Sequence, residues 1–205
     1  SGGAAVSFRT TETAPPLPVQ PPSTGSGILL SSAQIAALPT SGAAWTALLG
    51  RANSKSGNPA VVTNRGEHNI DVLANAFVGA RLNDNSRKAY VRDELRNITQ
   101  NGRDNNDVLG TLRNLQTYVI AADLINLSAF DPAFNGQFRS WLDIERKHNY
   151  AGGGGGGSVI STHNKKPNNF GTHAGASRIA AALYLGDTAD LQVAARIWQH
   201  WATGD

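Results

Sequence analysis

From residue 28 onward the apolar residues of this chain step by three and four, and nowhere do they alternate convincingly by two. That periodicity constrains the fold more than any other feature. A stripe recurring every ~3.6 residues is buried by a helix, whereas a half-buried strand needs period two. The clearest case spans about 106–127, where Val108, Leu112, Leu115, Val119 and Ala122 share a face. Ile70, Leu73, Ala74, Phe77 and Ala80 predict a helix over about 67–82, and Ala89, Tyr90, Leu95 and Ile98 predict another, capped by Ser86. Asp131-Pro132 opens a helix with Phe134, Phe138, Trp141 and Leu142, since proline suits the first helical position. Two more run over about 170–185, ending at Gly186, and about 188–202, carrying Leu191, Ala194, Ile197, Trp198 and Trp201.

Nearer the start, Ser31-Ser32-Ala33-Gln34 predicts a capped short helix that Pro39 ends. Thr40 or Ser41 can cap the next, with Trp45, Leu48 and Leu49. The fold class expected is all-α. Short links make successive helices antiparallel, and helical hairpins repeated around an axis give an α/α toroid whose inner helices line a groove.

Two segments lack helical pattern. Residues 1–27, with Ala14-Pro15-Pro16-Leu17-Pro18 and Pro21-Pro22, read as an extended Pro/Ser/Thr-rich arm, either a spacer or a strap for self-association. Residues 148–169 hold six consecutive glycines, 152–157, and read as a mobile Gly-rich loop, either a lid or a linker, within the domain at 28–205.

Charged residues are only 16% of the chain, and Asn, Ser, Thr, Gly and Ala take their place, a surface suited to sugar hydroxyls or simply to secretion. The net charge of +3 favours a polyanionic ligand, but no Lys/Arg run points to nucleic acid. Absence of Cys excludes disulfides and thiolate metal sites. The sequence does not open on Met, so its start is expected at a processing or cloning boundary, and no apolar run reaches the ~18 residues of a membrane span. The five His lie at 68, 148, 163, 173 and 200 without metal-ligand spacing, and neither a GxSxG elbow nor a phosphate loop is present. No metal or cofactor is expected.

The richest stretch is Lys165-Lys166-Pro167-Asn168-Asn169-Phe170-Gly171-Thr172-His173, followed by Arg178. It gathers amides, an imidazole and cations at the mouth of a predicted helix. Together with Leu38-Pro39-Thr40-Ser41-Gly42-Ala43-Ala44-Trp45 and the helix Arg113 to Ile125, it resembles the alginate-lyase-like polysaccharide lyases over about residues 28–205. The resemblance implies an α/α toroid, incomplete at this length, acting outside the cytoplasm on uronate-containing glycans by β-elimination. It departs from the family in two ways: Phe170 follows Asn169 where the family carries its basic His, the imidazole returning at His173, and the family takes a catalytic Tyr, and often an Arg, from helices beyond the equivalent of Asp205.

β-Elimination needs the uronate carboxylate neutralised, a base for the adjacent carbon-bound proton, and an acid for the leaving oxygen. Asn169 fits the first role, although Asn168 or Asn169 also suits plain helix capping. His173 fits the base, kept neutral by the helix dipole, or is a polar residue packed on a neighbour. Tyr118 and Tyr150 are the candidate acids, or core tyrosines. Asn168, His163, Lys165, Lys166 and Arg178 are candidates for holding neighbouring sugars, the lysines equally suiting a solvated loop and Arg178 an ion pair with an acid such as Asp187. His68, Asn69, Arg113, Asn114 and Gln116 would line the groove if their helices face inward. The rival reading is a non-catalytic carbohydrate-binding or assembly module.

Overall fold

A computed structural model describes residues 27–54, 66–101, 108–151 and 156–204. The Pro-rich arm, up to residue 26, and glycines 152–155 lie outside the described residues. The chain is all-α: α1 (Ser32–Ala37), α2 (Ala43–Ser54), α3 (His68–Leu82), α4 (Asn85–Asn101), α5 (Val108–Leu124), α6 (Leu127–Phe130), α7 (Pro132–Glu145), α8 (Val159–Lys165), α9 (Asn169–Leu185) and α10 (Thr188–Thr203).

The ends of these helices follow local chemistry. Ser31 and Gln34 close a reciprocal capping box on α1, and Leu38, before Pro39, leaves the helical region. Asp84, not Ser86, opens α4: its carboxylate accepts the Ser86 and Arg87 N–H groups at 2.9 and 3.2 Å. A carboxylate at a helix N-terminus satisfies orphan donors and meets the positive end of the dipole. Asp131 caps α7 through the Phe134 N–H, with Pro132 in the first turn. Gly186 ends α9 at φ 68°, the left-handed conformation that glycine adopts without a Cβ penalty.

The helices α3, α5 and α9 pack side by side in a row, α5 between the other two. α4 packs across α3 and α5, α7 across α4 and α9, while α2 flanks α3 and α10 flanks α9. The core lies between these layers. Val72, Val91, Leu95, Ile98, Leu112, Leu115 and Val119 are sealed at the α3–α4–α5 junction, and Phe138 stacks on Trp141 and meets Tyr184 edge-on. Each such side chain contributes roughly 1.5–3 kcal/mol when fully buried. At the start of the domain, the Asp123 carboxylate accepts the backbone N–H groups of Gly27 and Ile28 at 2.9 and 3.1 Å.

One hydroxyl ties the two longest-packed helices together. Ser177 Oγ on α9 accepts the Gln116 N–H at 3.1 Å and donates to the Leu112 carbonyl at 2.8 Å. α9 thereby bonds to a backbone donor and a backbone acceptor one turn apart on α5.

The segment 148–169 is not an open loop where it is described. Tyr150 and Gly157 form an antiparallel bridge, exchanging N–H···O bonds of 3.0 and 2.9 Å. Ser158 and Ser161 then cap α8, which buries Val159, Thr162 and His163. α6 and α8 are additional to the helices the apolar periodicity predicts. In α8 Val159 shares the buried face with Thr162 and His163, so an apolar stripe does not reveal it.

Candidate functional site

The first turn of α9 is seated by an unusually close approach. A Cβ on Gly171 would stand 1.7 Å from the Lys166 carbonyl oxygen and 2.6 Å from the Trp201 ring, so only glycine lets this helix start where it does. Asn168 is its N-cap, accepting from the Phe170 and Gly171 N–H groups. Asn168 is therefore committed to the helix cap through its Oδ1. Asn169, one residue on, is exposed, and its amide makes no hydrogen bond among the described residues.

His173 follows Asn169 by one turn on the same side of α9 and is half-buried. Its pKa is lowered from the ordinary imidazole value, first by burial and then by the positive charge of Arg113 on α5. The ring is thus neutral at neutral pH, as a base requires. Arg113 is exposed, on the helix most closely packed against α9. Of the predicted residues, Asn169 is exposed in the first turn of α9, and His173 feels the charge of Arg113 on the neighbouring α5.

The other predicted residues have different duties. Tyr118 is buried, its hydroxyl 2.8 Å from His68 Nδ1, and His68 Nε2 lies 3.1 Å from a Glu94 carboxylate oxygen. A carboxylate only accepts, so Nε2 carries the proton that faces Glu94, and Nδ1 pairs with the Tyr118 hydroxyl. This Glu94–His68–Tyr118 chain pins α4, α3 and α5 together. Burial and the nearby Glu94 push the Tyr118 phenol far above its ordinary pKa, which makes it a poor acid and corrects its assignment as the proton donor. Tyr150 is set apart from a ligand by its contacts: it is buried and donates to the buried Glu145, while its backbone pairs with Gly157.

His163 and Arg178 are interior residues. Arg178, 2% exposed, holds Asp190 on α10 with a shortest contact of 2.6 Å and reaches Asn164 at 2.8 Å. Asp190 also receives Arg146 at 3.0 Å, and Arg146 binds Asp187 at 2.7 Å. The network clamps the end of α7 and helices α8, α9 and α10. Arg178 is thus paired with an acid, Asp190 rather than Asp187, and does not face a ligand. His163 is sealed between the Trp201 ring, met edge-on at 5.0 Å, and Gly175. Burial and the Arg178 charge push its pKa down to about 4.

His68, Asn69 and Asn114 are buried rather than lining an open groove, and the Gln116 side chain turns to the Arg113 carbonyl at 3.3 Å. Lys165 is exposed, and Lys166 places its ammonium 5.4 Å from the centre of the Phe170 ring. Both lysines line a pocket of about 390 Å³ with Asn149, Gly156, Gly157, Ser161 and Thr162.

Glu94, Asp190 and Ser177 are the residues that sequence reasoning missed. Glu94 sits in an Arg/Asp/Glu-rich helix that reads as a solvated face, and Asp190 reads as a first-turn acid of α10. Only their partners, 26 and 12 residues away, give them their roles. Among the described residues no three His, Asp or Glu side chains gather as a metal site, and no helix is long and apolar enough to cross a membrane. No protein-family model, curated protein or solved structure matches the chain.

Proposed function

We propose that this chain binds a uronate-containing, anionic polysaccharide along the α5–α9 seam and cleaves it by β-elimination, as an exported lyase of the alginate-lyase-like kind. One observation carries the reading: an uncommitted amide, Asn169, stands one helical turn before an imidazole, His173, that burial and Arg113 keep neutral. The row of α3, α5 and α9 backed by α4 and α7 also suits part of an α/α toroid, with the row as its inner layer.

The Asn169 amide and the Arg113 guanidinium neutralise the sugar carboxylate, stabilising the charge that spreads onto it. His173 takes the proton from the adjacent carbon. The electron pair of that C–H bond becomes the new C=C bond as the glycosidic C–O bond at the next carbon breaks. With Tyr118 and Tyr150 buried, the imidazolium of His173 itself returns the proton to the leaving oxygen, which requires both to lie on one face of the sugar.

The test is the ultraviolet absorbance of the unsaturated uronate on incubation with alginate, hyaluronan, heparin and pectate. Turnover should fall by roughly 10²-fold or more in Asn169→Ala and His173→Ala, the range for losing a positioned donor or base. In wild type the acidic limb of kcat/KM should lie below pH ~6.5, the ordinary imidazole value, and should move up in Arg113→Gln, because removing the cation makes the proton easier to hold. Wild-type protein that never generates the absorbance refutes the lyase. A second reading, glycan binding without turnover, is favoured by the burial of both candidate phenols, and saturable binding without product would establish it.

A further inference from the structure

Asn169 and His173 stand in the first two turns of α9, so their place is set by whatever seats that end of the helix. On the α5 side the helix is pinned at Ser177, one turn beyond His173. On another side Gly171 and Gly175, four residues apart, leave a strip of bare backbone. Two rings cover it. A Cβ on Gly171 would stand 2.6 Å from the Trp201 ring of α10, and one on Gly175 would stand 2.9 Å from His163 Nε2 of α8. The two rings brace each other edge-on, with centroids 5.0 Å apart.

The rings differ in how they are held. His163 is sealed, with the Arg178 guanidinium 3.4 Å from Nδ1 and that guanidinium fixed by Asp190 and Asn164. Trp201 is half-buried, one turn after the exposed Trp198, and Ala194 is the one fully buried residue of α10. Asp190 fastens the start of α10 to α9, and the Trp201 ring brings the other end of α10 against the Gly171 backbone. Without that ring, the Asn168 cap and the 2.9 Å bond from the Thr172 N–H to the Asn168 carbonyl lose their packed neighbour. Helix ends with few packed contacts open locally.

We propose that Trp201 is a positioning residue for the candidate site: its ring holds the first turn of α9, so that the Asn169 amide and the His173 imidazole keep their places. Trp201 acts through the helix and not on the sugar. What Asn169 and His173 do rests on the function proposed above; that Trp201 holds them does not.

The experiment compares the intact wild-type chain with Trp201→Leu, Trp201→Phe and Phe138→Leu. Phe138, fully buried on α7, is the control for a loss of stability alone. In Trp201→Leu, amide hydrogen exchange followed by NMR should be roughly tenfold faster or more at Thr172 and His173 and unchanged at Ala181 and Ala182, because only the first turns open. The His173 titration midpoint should rise toward the ordinary 6.5, since burial is the first cause of its lowering. Turnover should fall by roughly 10- to 100-fold, in kcat more than in KM, the effect of a small misplacement of reacting groups. Trp201→Phe keeps a ring and should shift each readout less, in the same direction. Phe138→Leu should lower the melting temperature and leave the Thr172 exchange and the His173 midpoint alone. Unchanged exchange and midpoint in Trp201→Leu, or equal changes in Phe138→Leu, overturn the positioning role. Wild type that forms no unsaturated product refutes the lyase alone, and exchange and titration still decide the role of Trp201.

Discussion

Replacing Gly171 by Ala tests whether the first turn of α9 is placed by backbone contact. The added Cβ would lie 1.7 Å from the Lys166 carbonyl oxygen and 2.6 Å from the Trp201 ring, whereas an ordinary contact begins at 3.4 Å. Neither neighbour yields easily. The carbonyl already accepts the Asn168 N–H at 2.8 Å, and Trp201 is braced edge-on against buried His163. Overpacking costs about 1–3 kcal/mol and more where backbone must move, so a gross cost of ~3–4 kcal/mol is expected. The better helix propensity of Ala returns at most ~1 kcal/mol. The net loss of ~2–3 kcal/mol corresponds to a fall in melting temperature of roughly 5–10 °C for a chain of this size. Thermal melts followed by circular dichroism give the value. Gly136 on α7 is the control, because a Cβ there meets nothing within 4 Å and Gly136→Ala should gain ~0.5–1 kcal/mol. If Gly171→Ala melts with wild type while Gly136→Ala rises, the close seating of α9 on Lys166 is refuted.

Two further outcomes follow from buried groups. The unfolded chain binds a proton on His163 at pH ~6.5, whereas the folded ring does so only at about 4, so its stabilising share is complete above pH ~6.5 and is lost as pH falls toward 4, by up to ~1.4 kcal/mol per pH unit. Asp143 and Asp187, whose pKa values are lowered by Lys147 and Arg146 hydrogen bonds respectively, lose their contribution only below the ordinary 3.8. Denaturant midpoints measured across pH 4–7 should therefore flatten in His163→Gln, and an unchanged slope would discard the explanation. Tyr118→Phe leaves His68 Nδ1 buried without its hydroxyl partner and should cost ~1–3 kcal/mol in a urea melt. Loss of turnover with unchanged stability would instead return Tyr118 to the chemistry.

The boundary between legible and illegible features follows residue type. Ser31 with Gln34, Asp131 with Pro132, and Gly186 act on backbone groups within a few positions of themselves, so the chain declares those helix ends locally. Asn169 and His173, four residues apart on one helix, were placed on a common side by helical geometry alone. Arg178 could not be assigned from spacing. It resembles a ligand-binding cation until Asp190, twelve residues on, is brought against it by the packing of α10 on α9. His68 and Tyr118, fifty residues apart, look like groove-lining groups until α3 and α5 pack and Glu94 closes the chain between them.

The sequence by itself determined the all-helical character and most of the helix boundaries, because periodicity and capping are short-range effects of side chains on their own backbone. It also singled out the 165–178 stretch for its density of amide, imidazole and cationic side chains. Only the tertiary structure decided which of those polar groups are occupied. Burial makes an unpaired charge or hydroxyl costly, so Arg178, His68 and Tyr118 take the partners that packing delivers, while the Asn169 amide stays exposed and the His173 imidazole half-buried in the first turns of α9.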